Sequence, residues 1–561
     1  MTNSLDVDDL KADVKEAAKR VKGVIDKGGK ILVVSHSGDT DGETGGAIAL
    51  KGISRAYGFD KPYLWDNRDG TFDVKGTQGK IDYMPASYNP DSVEKVVEMA
   101  NTGEYDMVLA FDWGSGLLRS LSKIDNKVSV ILGDHHTQDI TEKERQKPEY
   151  QNILEINPNR YGLDEGKDAC GASLSYLVAK SVDPRNKDLA GLAVLGAKGD
   201  MQDFRRDGLE GDIYKEIVAD AGSSTGSHKV TAEKGFIVYG RDTIELPKQL
   251  LTYYNRSGPL TRALVQNHGL DSDISRRRLL TAFGKIMKDD WGMDVTDKTL
   301  SQLSDKEQKQ MFDNVYRELT TSGYKIDKAK FEDEITGTLY TFNNQPEGTK
   351  WHNANEYSTI TSACSKMNEH ATAINALLEH AQSKDRAENT VYKGYKRAIG
   401  RALGQVKYED RDDIRVADAS GHRATITGIL AGIYVDDDFE KPMVSVVYSK
   451  LPNGGYKGSV RRPVDSPLSC SDMCRIAETY GGEGGGHPFA AGFFAPDEKA
   501  LGSILKDMEA YAKQGGGSYA SSTPGASLKP YEQFVMPGSG SISGKDNHVP
   551  IDAPAEGYQI G

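Results

Sequence analysis

The sequence predicts an α/β protein with a doubly wound parallel sheet, a smaller α/β domain towards the C-terminus and a mostly helical region between them. Three short apolar runs indicate the sheet: KILVVSH (Lys30–His36), MVLAFD (Met107–Asp112) and VSVILGD (Val128–Asp134). Each run is apolar at nearly every position, which is typical of strands that are buried on both faces. Segments with helical character lie between or after the runs, and this alternation of strands and helices favours a parallel sheet.

Domain boundaries follow from changes in composition along the 561 residues. Residues 1–205 hold an N-terminal helix and the predicted sheet. Residues 206–407 are predicted to be a mostly helical insertion. Residues 408–513, in which β-type runs alternate with turns, are predicted to be a second α/β domain. Residues 514–561 are rich in Gly, Ser and Pro, and we expect them to be disordered because they cannot bury a core.

Composition excludes several classes of protein. Apolar stretches such as ILAGIYV (Ile429–Val435) are far too short to span a bilayer, so we expect no membrane association. The N-terminus has early acidic residues and no apolar core, unlike a secretory signal. Four cysteines are too few for a disulfide scaffold, which favours a reduced, cytoplasmic location. We expect Cys470 and Cys474 to lie on one helix face rather than to bind zinc.

The distribution of charge is more informative than its sum. A net charge of −13 argues weakly against nucleic-acid binding, because a phosphate backbone attracts a positive surface. However, two stretches have five basic residues each and no acid, namely RRRLLTAFGKIMK (Arg276–Lys288) and VYKGYKRAIGRALGQVK (Val391–Lys407). Each stretch is either a solvated helix face or a surface for phosphate groups, and both interpretations stay open.

Residue types that bind divalent metals follow the predicted strands, where ligands of open parallel sheets bind. Those at or after the strand ends, including the segments SGDTDG and DHH, are His36, Asp39, Asp41, Asp112, Asp134, His135 and His136. The segment GAKGDMQD, predicted to be a helix end or loop, adds Asp200 and Asp203. Carboxylates suit hard cations, and imidazole shifts the preference from Mg²⁺ towards Mn²⁺, Fe²⁺ or Zn²⁺. So many ligands suit two ions that share a carboxylate, activate water and hold a phosphoryl group from both sides.

A second candidate site is the segment GGEGGGHPFAAGFF (Gly481–Phe494), which is predicted to be a glycine-rich loop. Glycine lets backbone N–H groups approach a phosphate closely, and a histidine at the end of the loop donates to a phosphate oxygen. The nearby segment YKGSVRRP adds two arginines, which suit phosphate contacts. The candidate substrate-binding residues are Arg461, Arg462, Gly485, Gly486 and His487.

These motifs, in this order, resemble those of the DHH phosphoesterase superfamily: a D-x-D, a single Asp, D-H-H, a further Asp and the G-G-G-H of its DHH-associated domain. Within the superfamily the chain is similar to RecJ-type nucleases, most of all to the archaeal GINS-associated nuclease branch. GAKGDMQDF, the segment 235–264 and HNANEYSTITSACSKMNEHATAINALL resemble segments of that branch. One departure is an extra residue, because the branch has H-x-D-x-D-G and here two residues separate His36 from Asp39.

The resemblance implies a role for each matching residue. One divalent cation would be held by His36, Asp39 and Asp112, and the second by Asp41, Asp112, His135 and Asp200. Mn²⁺ is the expected ion, with Mg²⁺ or Co²⁺ as alternatives. Asp134 would orient a histidine, and His136 would bind the scissile phosphate or assist the leaving group. The end of the strand would be gripped by Arg461, Gly485, Gly486 and His487.

The function that the resemblance implies is a two-ion exonuclease acting on an end of single-stranded DNA or RNA, in replication or repair, with the GINS complex as a partner. One alternative is a phosphodiesterase for short oligonucleotides or a cyclic dinucleotide. The long insertion with its basic runs argues against this alternative, because it exceeds what so small a substrate needs. The other is a replisome scaffold with little or no catalysis, as in the eukaryotic helicase cofactor related to RecJ. The presence of every expected acid argues against that role, because unpaired buried acids are costly to retain.

Overall fold

The computed structural model describes residues 6–88, 90–203, 208–236, 292, 304–321, 328–329, 336–346, 349–435, 443–452, 454–463 and 466–515. Three features named from the sequence lie outside these residues. They are the basic run 276–288, all but the first two residues of the segment 235–264, and the tail from residue 516 onwards.

The N-terminal part of the chain is built on a five-stranded parallel sheet. Its strands and a small two-stranded hairpin follow in the order β1 Ile31–His36, β2 Tyr63–Asp66, β3 Phe72–Lys75, β4 Ile81–Ala86, β5 Met107–Phe111, β6 Ser129–Gly133 and β7 Ile153–Ile156. The sheet order is β4-β1-β5-β6-β7, with β2 and β3 paired separately. All pairings within the sheet are parallel. The predicted parallel sheet is therefore confirmed, with two strands more than the three apolar runs indicated.

Helices cover both faces of this sheet, as a doubly wound fold requires. They are α1 Val7–Asp26, α2 Thr40–Ala56, α3 Pro90–Ala100, α4 Leu118–Leu121, α5 Gly171–Val182 and α6 Ala190–Gly199. Alternate side chains of β1 point to opposite faces of the sheet. Ile31 and Val33 pack with α1, α2, α5 and α6, whereas Leu32 and Val34 pack with α3 and α4. The strands are apolar throughout because both of their faces are covered.

The region between the two sheets is mainly helical where the structure describes it. Its elements are α7 Asp212–Ser223, β8 Val230–Phe236, α8 Asp305–Thr321, β9 Thr336–Phe342, α9 Ala354–Lys366, α10 His370–Leu377, α11 Ala381–Arg386 and α12 Lys393–Gln405. Strands β8 and β9 form an antiparallel pair that the sequence did not predict. A π-helical turn, Ala387–Tyr392, precedes α12. Helices α9 and α10 pack against the sheet domain through Tyr357, Ile360 and Ile374.

The C-terminal domain is a six-stranded mixed sheet with three helices. Its elements are β10 Tyr408–Arg411, β11 Ile414–Asp418, α13 Thr427–Val435, β12 Val444–Lys450, β13 Tyr456–Arg461, α14 Cys470–Arg475, β14 Glu483–His487, β15 Ala490–Ala495 and α15 Glu498–Lys513. The order is β10-β11-β12-β13-β15-β14. Cys470 and Cys474 are buried on α14. No helix in the described ranges is long and apolar enough to cross a membrane.

Candidate metal centre

The predicted metal-binding residues meet at the carboxyl edge of the parallel sheet. His36 is the last residue of β1, Asp112 directly follows β5, and the triplet Asp134–His136 directly follows β6. Asp39 caps the N-terminus of α2, where its Oδ1 accepts the Gly42 N–H at 3.2 Å. The strand order reverses between β1 and β5, because β4 lies on one side of β1 and β5 on the other, and open parallel sheets bind their ligands at such a point.

Three groups of possible ligands lie within this edge, each with its ligand atoms within 4.8 Å of one another. They are His36, Asp39 and Asp112; Asp41, His135 and Asp200; and Asp112, His135 and His136. The structure thus brings together all six residues that the resemblance assigned to metal. Asp112 and His135 each belong to two groups. Neighbouring groups with shared members are the arrangement that two closely spaced ions require.

Asp112 lies at the centre of this cluster and has an unusual backbone. Its φ is 56°, in the left-handed region that costs a non-glycine residue about 1–2 kcal/mol. The carboxylate is buried, with His36 Nδ1 3.3 Å from its Oδ2 and His135 Nε2 3.3 Å from its Oδ1. Among the described residues, no donor is aligned to make a hydrogen bond to Oδ1. A buried carboxylate oxygen of this kind fits a bridging metal ligand.

Asp41 is held by the N-terminus of α5. Its Oδ2 accepts the Gly171 N–H at 2.7 Å, and its Oδ1 accepts the Ala172 N–H at 2.9 Å. Burial, together with the charges of Asp112 and Asp200, raises the pKa of Asp41 well above its ordinary value. Carboxylates brought this close in a buried site repel one another unless a cation lies between them.

Hydrogen bonds to neighbouring groups orient the side chains of His135 and Asp200. His135 Nδ1 lies 2.9 Å from the Glu165 carbonyl, which accepts its proton and directs Nε2 towards Asp112 and Asp41. Gln202 Nε2 donates to the same carbonyl at 2.9 Å and to Asp200 Oδ2 at 2.6 Å. Neutral imidazole with a fixed tautomer is the form that binds a metal.

Asp134 does not join any of the three ligand groups. Its oxygens accept the N–H groups of Ser115 and His135, each at 2.8 Å, and its Oδ1 lies 2.8 Å from His136 Nδ1. The Tyr88 hydroxyl lies 2.9 Å from the same Nδ1. Burial alone would lower the pKa of His136, but the charge and hydrogen bond of Asp134 raise it to about 9. These contacts of Asp134 favour the protonated form of His136.

The extra residue between His36 and Asp39 is held by the helical region. Ser365, on α9, donates its hydroxyl to the Ser37 carbonyl at 2.8 Å. Lys366 Nζ donates to the Gly38 carbonyl. The longer loop still brings Asp39 Oδ2 within 3.7 Å of His36 Nδ1, because α9 supplies the contacts that fix it.

Three basic groups meet beside this loop: Lys366, Lys457 and Arg461. Burial, and then the charges of Lys366 and Arg461, lower the pKa of Lys457 to about 7. Arg461 donates to the carbonyls of Val460 at 2.8 Å and Ala491 at 3.3 Å. No ion pair joins these three residues to a carboxylate in the part of the chain that the structure describes. Of the carboxylates that the structure describes, Asp39 is the one near enough to affect the pKa of Lys366, and partly buried cations that form no ion pair favour a bound anion.

The glycine-rich segment is an edge strand and not the predicted loop. Residues Glu483–His487 form β14, which pairs antiparallel with β15. The glycines are needed for close packing, since a Cβ at Gly484 would lie 1.8 Å from the Cys474 carbonyl oxygen. Gly486 has a φ of 134°, which disfavours any other residue.

The remaining predicted residues lie around this strand or away from the centre. Gly485 pairs with Gly492, and His487 with Ala490 at the end of β14. Arg462 stacks its guanidinium on the half-exposed Phe489 ring, 3.9 Å from the centroid. Asp203 is ion-paired with Lys198, outside the three ligand groups. Sequence reasoning missed Tyr88, for which no motif gave a signal. It also missed Gln202, Lys366 and Lys457, which lie within the quoted segments but were given no role.

Comparisons with known proteins agree with this architecture. Residues 414–514 match the DHHA1 domain family. An uncharacterized protein of Methanocaldococcus jannaschii is 23% identical over 509 residues, which are 90% of this chain and 98% of that protein. CDC45 from Entamoeba histolytica has the same fold, with a TM-score of 0.53 at 9% identity, over 90% of this chain and 99% of that one.

RecJ from Thermus thermophilus, in complex with Mn²⁺, aligns at 18% identity with a TM-score of 0.47. The alignment covers 90% of this chain and 55% of that one, so this chain spans little more than half the length of that RecJ. The fold and the site define an α/β protein with a DHHA1 domain after its parallel sheet. The predicted DHH-associated domain is thus matched by a family model, and the chain shares its fold with CDC45.

Proposed function

We propose that this chain is a metal-dependent phosphodiesterase that removes nucleotides from an end of single-stranded DNA or RNA. One observation carries the proposal, namely that a carboxylate–imidazole cluster and a group of uncompensated cations share one loop. Gly38, whose carbonyl accepts from Lys366, is the neighbour of Asp39 in that loop. A phosphodiester group needs both metal ligands at the reacting phosphorus and cations at its other oxygens.

Two divalent cations fit the donor set. One would be held by His36, Asp39 and Asp112, and the other by Asp41, Asp112, His135 and Asp200. Mixed carboxylate and imidazole ligands favour Mn²⁺, with Mg²⁺ or Co²⁺ as alternatives. Bound cations of this kind act as Lewis acids that activate water and neutralise charge on the phosphoryl group.

His136 is the residue to which we assign proton transfer. Its Nδ1 is engaged by Asp134 at 2.8 Å, so Nε2 is the atom assigned to the scissile phosphate. A pKa of about 9 keeps the imidazole protonated at neutral pH. The protonated ring donates to a phosphate oxygen and transfers its proton to the departing oxygen of the sugar.

The C-terminal domain, together with Lys366 of α9, supplies the contacts to the end of the strand. Lys366, Lys457 and Arg461 bind a phosphate, since their charges have no carboxylate partner in the described ranges. We assign the glycines of β14, Arg462 and His487 to the terminal nucleotide. Binding at a chain end by residues of a second domain gives exonucleolytic cleavage.

The experiment uses the purified full chain, Mn²⁺ and four single strands, DNA and RNA, each labelled at the 5′ or the 3′ end. Asp112→Asn keeps the shape of the side chain and removes the charge of the bridging ligand. Asp125→Asn, at an exposed loop position, is the matched control. We expect wild type and Asp125→Asn to release mononucleotides from one labelled end and Asp112→Asn to release none. Cleavage by no protein, or equal cleavage by Asp112→Asn, contradicts the proposal.

A scaffold role in a replication complex is the second candidate, because the fold is shared with CDC45. The proposed partner is the GINS complex. Analytical size-exclusion chromatography of the chain with purified GINS tests this role independently of cleavage. Co-elution of both wild type and Asp112→Asn supports it, and separate elution contradicts it.

A further inference from the structure

Helix α12 carries a line of cations that the proposed catalytic site does not use. Lys393, Arg397 and Arg401 follow one another at intervals of four residues, so they lie on one helix face. All three are exposed. The line is about 12 Å long at a rise of about 1.5 Å per residue.

The packing of α12 fixes the direction of this face. Tyr395 and Ala402 are buried in a cluster with Leu430 and Tyr434 of α13. The apolar side of the helix is therefore committed to the C-terminal domain, and the cations face solvent. Rotating the helix to hide them would expose this cluster.

The three charges have no carboxylate partner in the described ranges. No acid occurs between Asn389 and Tyr408, in a chain whose net charge is −13. Like charges four residues apart destabilise a helix by a few tenths of a kcal/mol per pair. A run that keeps this cost in an acidic protein indicates an anionic ligand.

The line is continuous with the proposed phosphate site. Ala402 of α12 and Ala419, three residues before His422, lie in one buried cluster, and the charge of Arg401, together with burial, lowers the pKa of His422. Six residues further along, Gly428 lies against Arg461, since a Cβ there would be 2.7 Å from the guanidinium NH2. Residues 422–428, with Arg423 as their one arginine, thus connect α12 to Arg461.

An aromatic ring lies at the other end of the line. The partly buried Tyr392 ends the π-helical turn, and the ammonium groups of Lys350 and Lys396 lie 5.9 and 5.2 Å from its ring centroid. Cations interspersed with aromatic rings are typical of surfaces that bind single-stranded nucleic acid. An acidic protein partner would bind to the charges alone, and its binding would require neither the Tyr392 ring nor the connection to Arg461.

We infer that the exposed face of α12, with Lys393, Arg397 and Arg401, binds the phosphate backbone of a single-stranded nucleic acid beyond the end that is cleaved. The inference rests on the proposed function and specifies its substrate as a strand longer than a few nucleotides. Contacts of this kind carry no sequence preference, because they read only the backbone.

The test compares a dinucleotide with a strand of 20 nucleotides. The variant combines Lys393→Gln, Arg397→Gln and Arg401→Gln. The control combines Lys15→Gln, Lys19→Gln and Lys22→Gln, three exposed lysines of α1 that change the net charge equally. We expect the first variant to raise KM for the long strand about tenfold, to leave its kcat unchanged and to leave dinucleotide cleavage unchanged. The slope of log KM against the logarithm of the salt concentration should decrease by about 2, since each of the three lost contacts to a single strand contributes about 0.7 to that slope.

Failure of the inference and failure of the proposed function give different results. Wild-type KM and salt dependence in the α12 variant, with both substrates cleaved, overturn the inference and leave the nuclease in place. If wild type cleaves neither substrate, the proposed function fails. Fluorescence anisotropy of a labelled strand without metal then decides the inference. Equal affinity of both variants, or binding of polyglutamate in place of the strand, overturns it.

Discussion

The position of His136 depends on two neighbouring side chains, Asp134 and Tyr88. Asp134 sets its charge, and the Tyr88 hydroxyl, 2.9 Å from Nδ1, limits rotation of the ring. The Tyr88 ring also makes an edge contact with His36, with centroids 5.3 Å apart. A single buried tyrosine therefore contacts both the proposed acid and a proposed metal ligand.

Tyr88→Phe should lower kcat about tenfold or more and leave KM nearly unchanged, since partners that orient active-site imidazoles contribute factors of about 10 to 100. The measurement is steady-state cleavage of a labelled strand in Mn²⁺. Tyr83→Phe is the matched control, because its buried hydroxyl bonds Ser35 Oγ at 2.8 Å on β1. A loss of kcat as large in Tyr83→Phe would show that any buried hydroxyl has this effect and would contradict the assignment.

Lys457 should make the proposed strand binding depend on pH near neutrality. Its folded-state pKa of about 7 lies below the value of about 10.4 in an unfolded chain. Between about pH 7 and 10 the unfolded chain therefore binds more protons, so this residue makes the free energy of unfolding rise with pH. Phosphate binding favours the charged amine, so affinity has the opposite dependence and falls as pH rises through 7.

We expect the affinity for a labelled single strand to fall between pH 6 and pH 8.5 in wild type, and this fall to be smaller in Lys457→Met. Fluorescence anisotropy without metal measures it. Lys450→Met, at the exposed end of β12, is the control. An identical pH profile in wild type and Lys457→Met would remove Lys457 from the phosphate site.

The sequence indicated the metal ligands better than their surroundings. Asp112 and His135 could be predicted because they follow apolar runs, and parallel strands bring their carboxyl ends to one edge. Lys366 and Lys457 could not, because one belongs to a helix of the insertion and the other to a strand of the last domain. Their meeting depends on how the domains pack, which no local pattern encodes.

Among the elements, the start of α5 determines how closely a helix approaches the sheet. A Cβ on Gly171 would lie 2.3 Å from Asp112 Cβ, and the Gly171 N–H holds Asp41. One glycine therefore positions two proposed ligands. It allows the helix N-terminus, with its partial positive charge, to lie against buried carboxylates.

Gly171→Ala should lower stability by about 1–3 kcal/mol, as overpacking does, and should weaken Mn²⁺ binding by moving both ligands. Gly502→Ala is the control, since nothing lies within 4 Å of a Cβ at this exposed position of α15. Gly502→Ala should raise the free energy of unfolding by about 0.5–1 kcal/mol, because alanine has the higher helix propensity. Thermal unfolding and calorimetric Mn²⁺ titration measure both effects. Unchanged Mn²⁺ affinity in Gly171→Ala would contradict this account.

Strands β4 and β7 escaped prediction for different reasons. In β4, Ile81–Ala86, polar Asp82 and Pro85 interrupt the apolar run, and proline is usual only at the edge of a sheet. β4 is an edge strand. β7 has only four residues and includes Glu155, whose charge is paired with Arg145. The apolar signal that identifies central strands is weak at both edges of this sheet.

Across the whole molecule, the helical region contacts the loop that ends at Asp39 and the first turn of α2, which carries Asp41. His370 Nδ1 lies 2.6 Å from Glu43 Oε1 in a buried pair, and the Thr40 hydroxyl donates to the Ser358 carbonyl at 2.7 Å. Together with the hydrogen bonds of Ser365 and Lys366, these contacts connect α9 and α10 to the loop and to the first turn of α2. The insertion is therefore part of the site, although the sequence suggested only that it binds a longer strand.

Metal removal tests whether bound cations offset the repulsion between the carboxylates of the site. Asp41, Asp112 and Asp200 are brought close enough that the charges of Asp112 and Asp200 raise the pKa of Asp41, and bound cations relieve this repulsion. A free Mn²⁺ concentration about 100 times its Kd should stabilise the fold by about 2.7 kcal/mol for each ion bound. That corresponds to a rise in Tm of about 5–10 °C over EDTA-treated protein for a domain of about 200 residues.

Asp200→Asn separates a two-ion site from a single one. It removes a ligand from the group with Asp41 and His135 and leaves His36, Asp39 and Asp112 intact. We expect bound Mn²⁺, measured by equilibrium dialysis and metal analysis, to fall from two ions per chain to one, and the rise in Tm to shrink. The metal-free variant should be at least as stable as metal-free wild type, because one repelling charge is gone. One ion per wild-type chain, or no loss in Asp200→Asn, would show that the shared carboxylate of Asp112 does not join two cations.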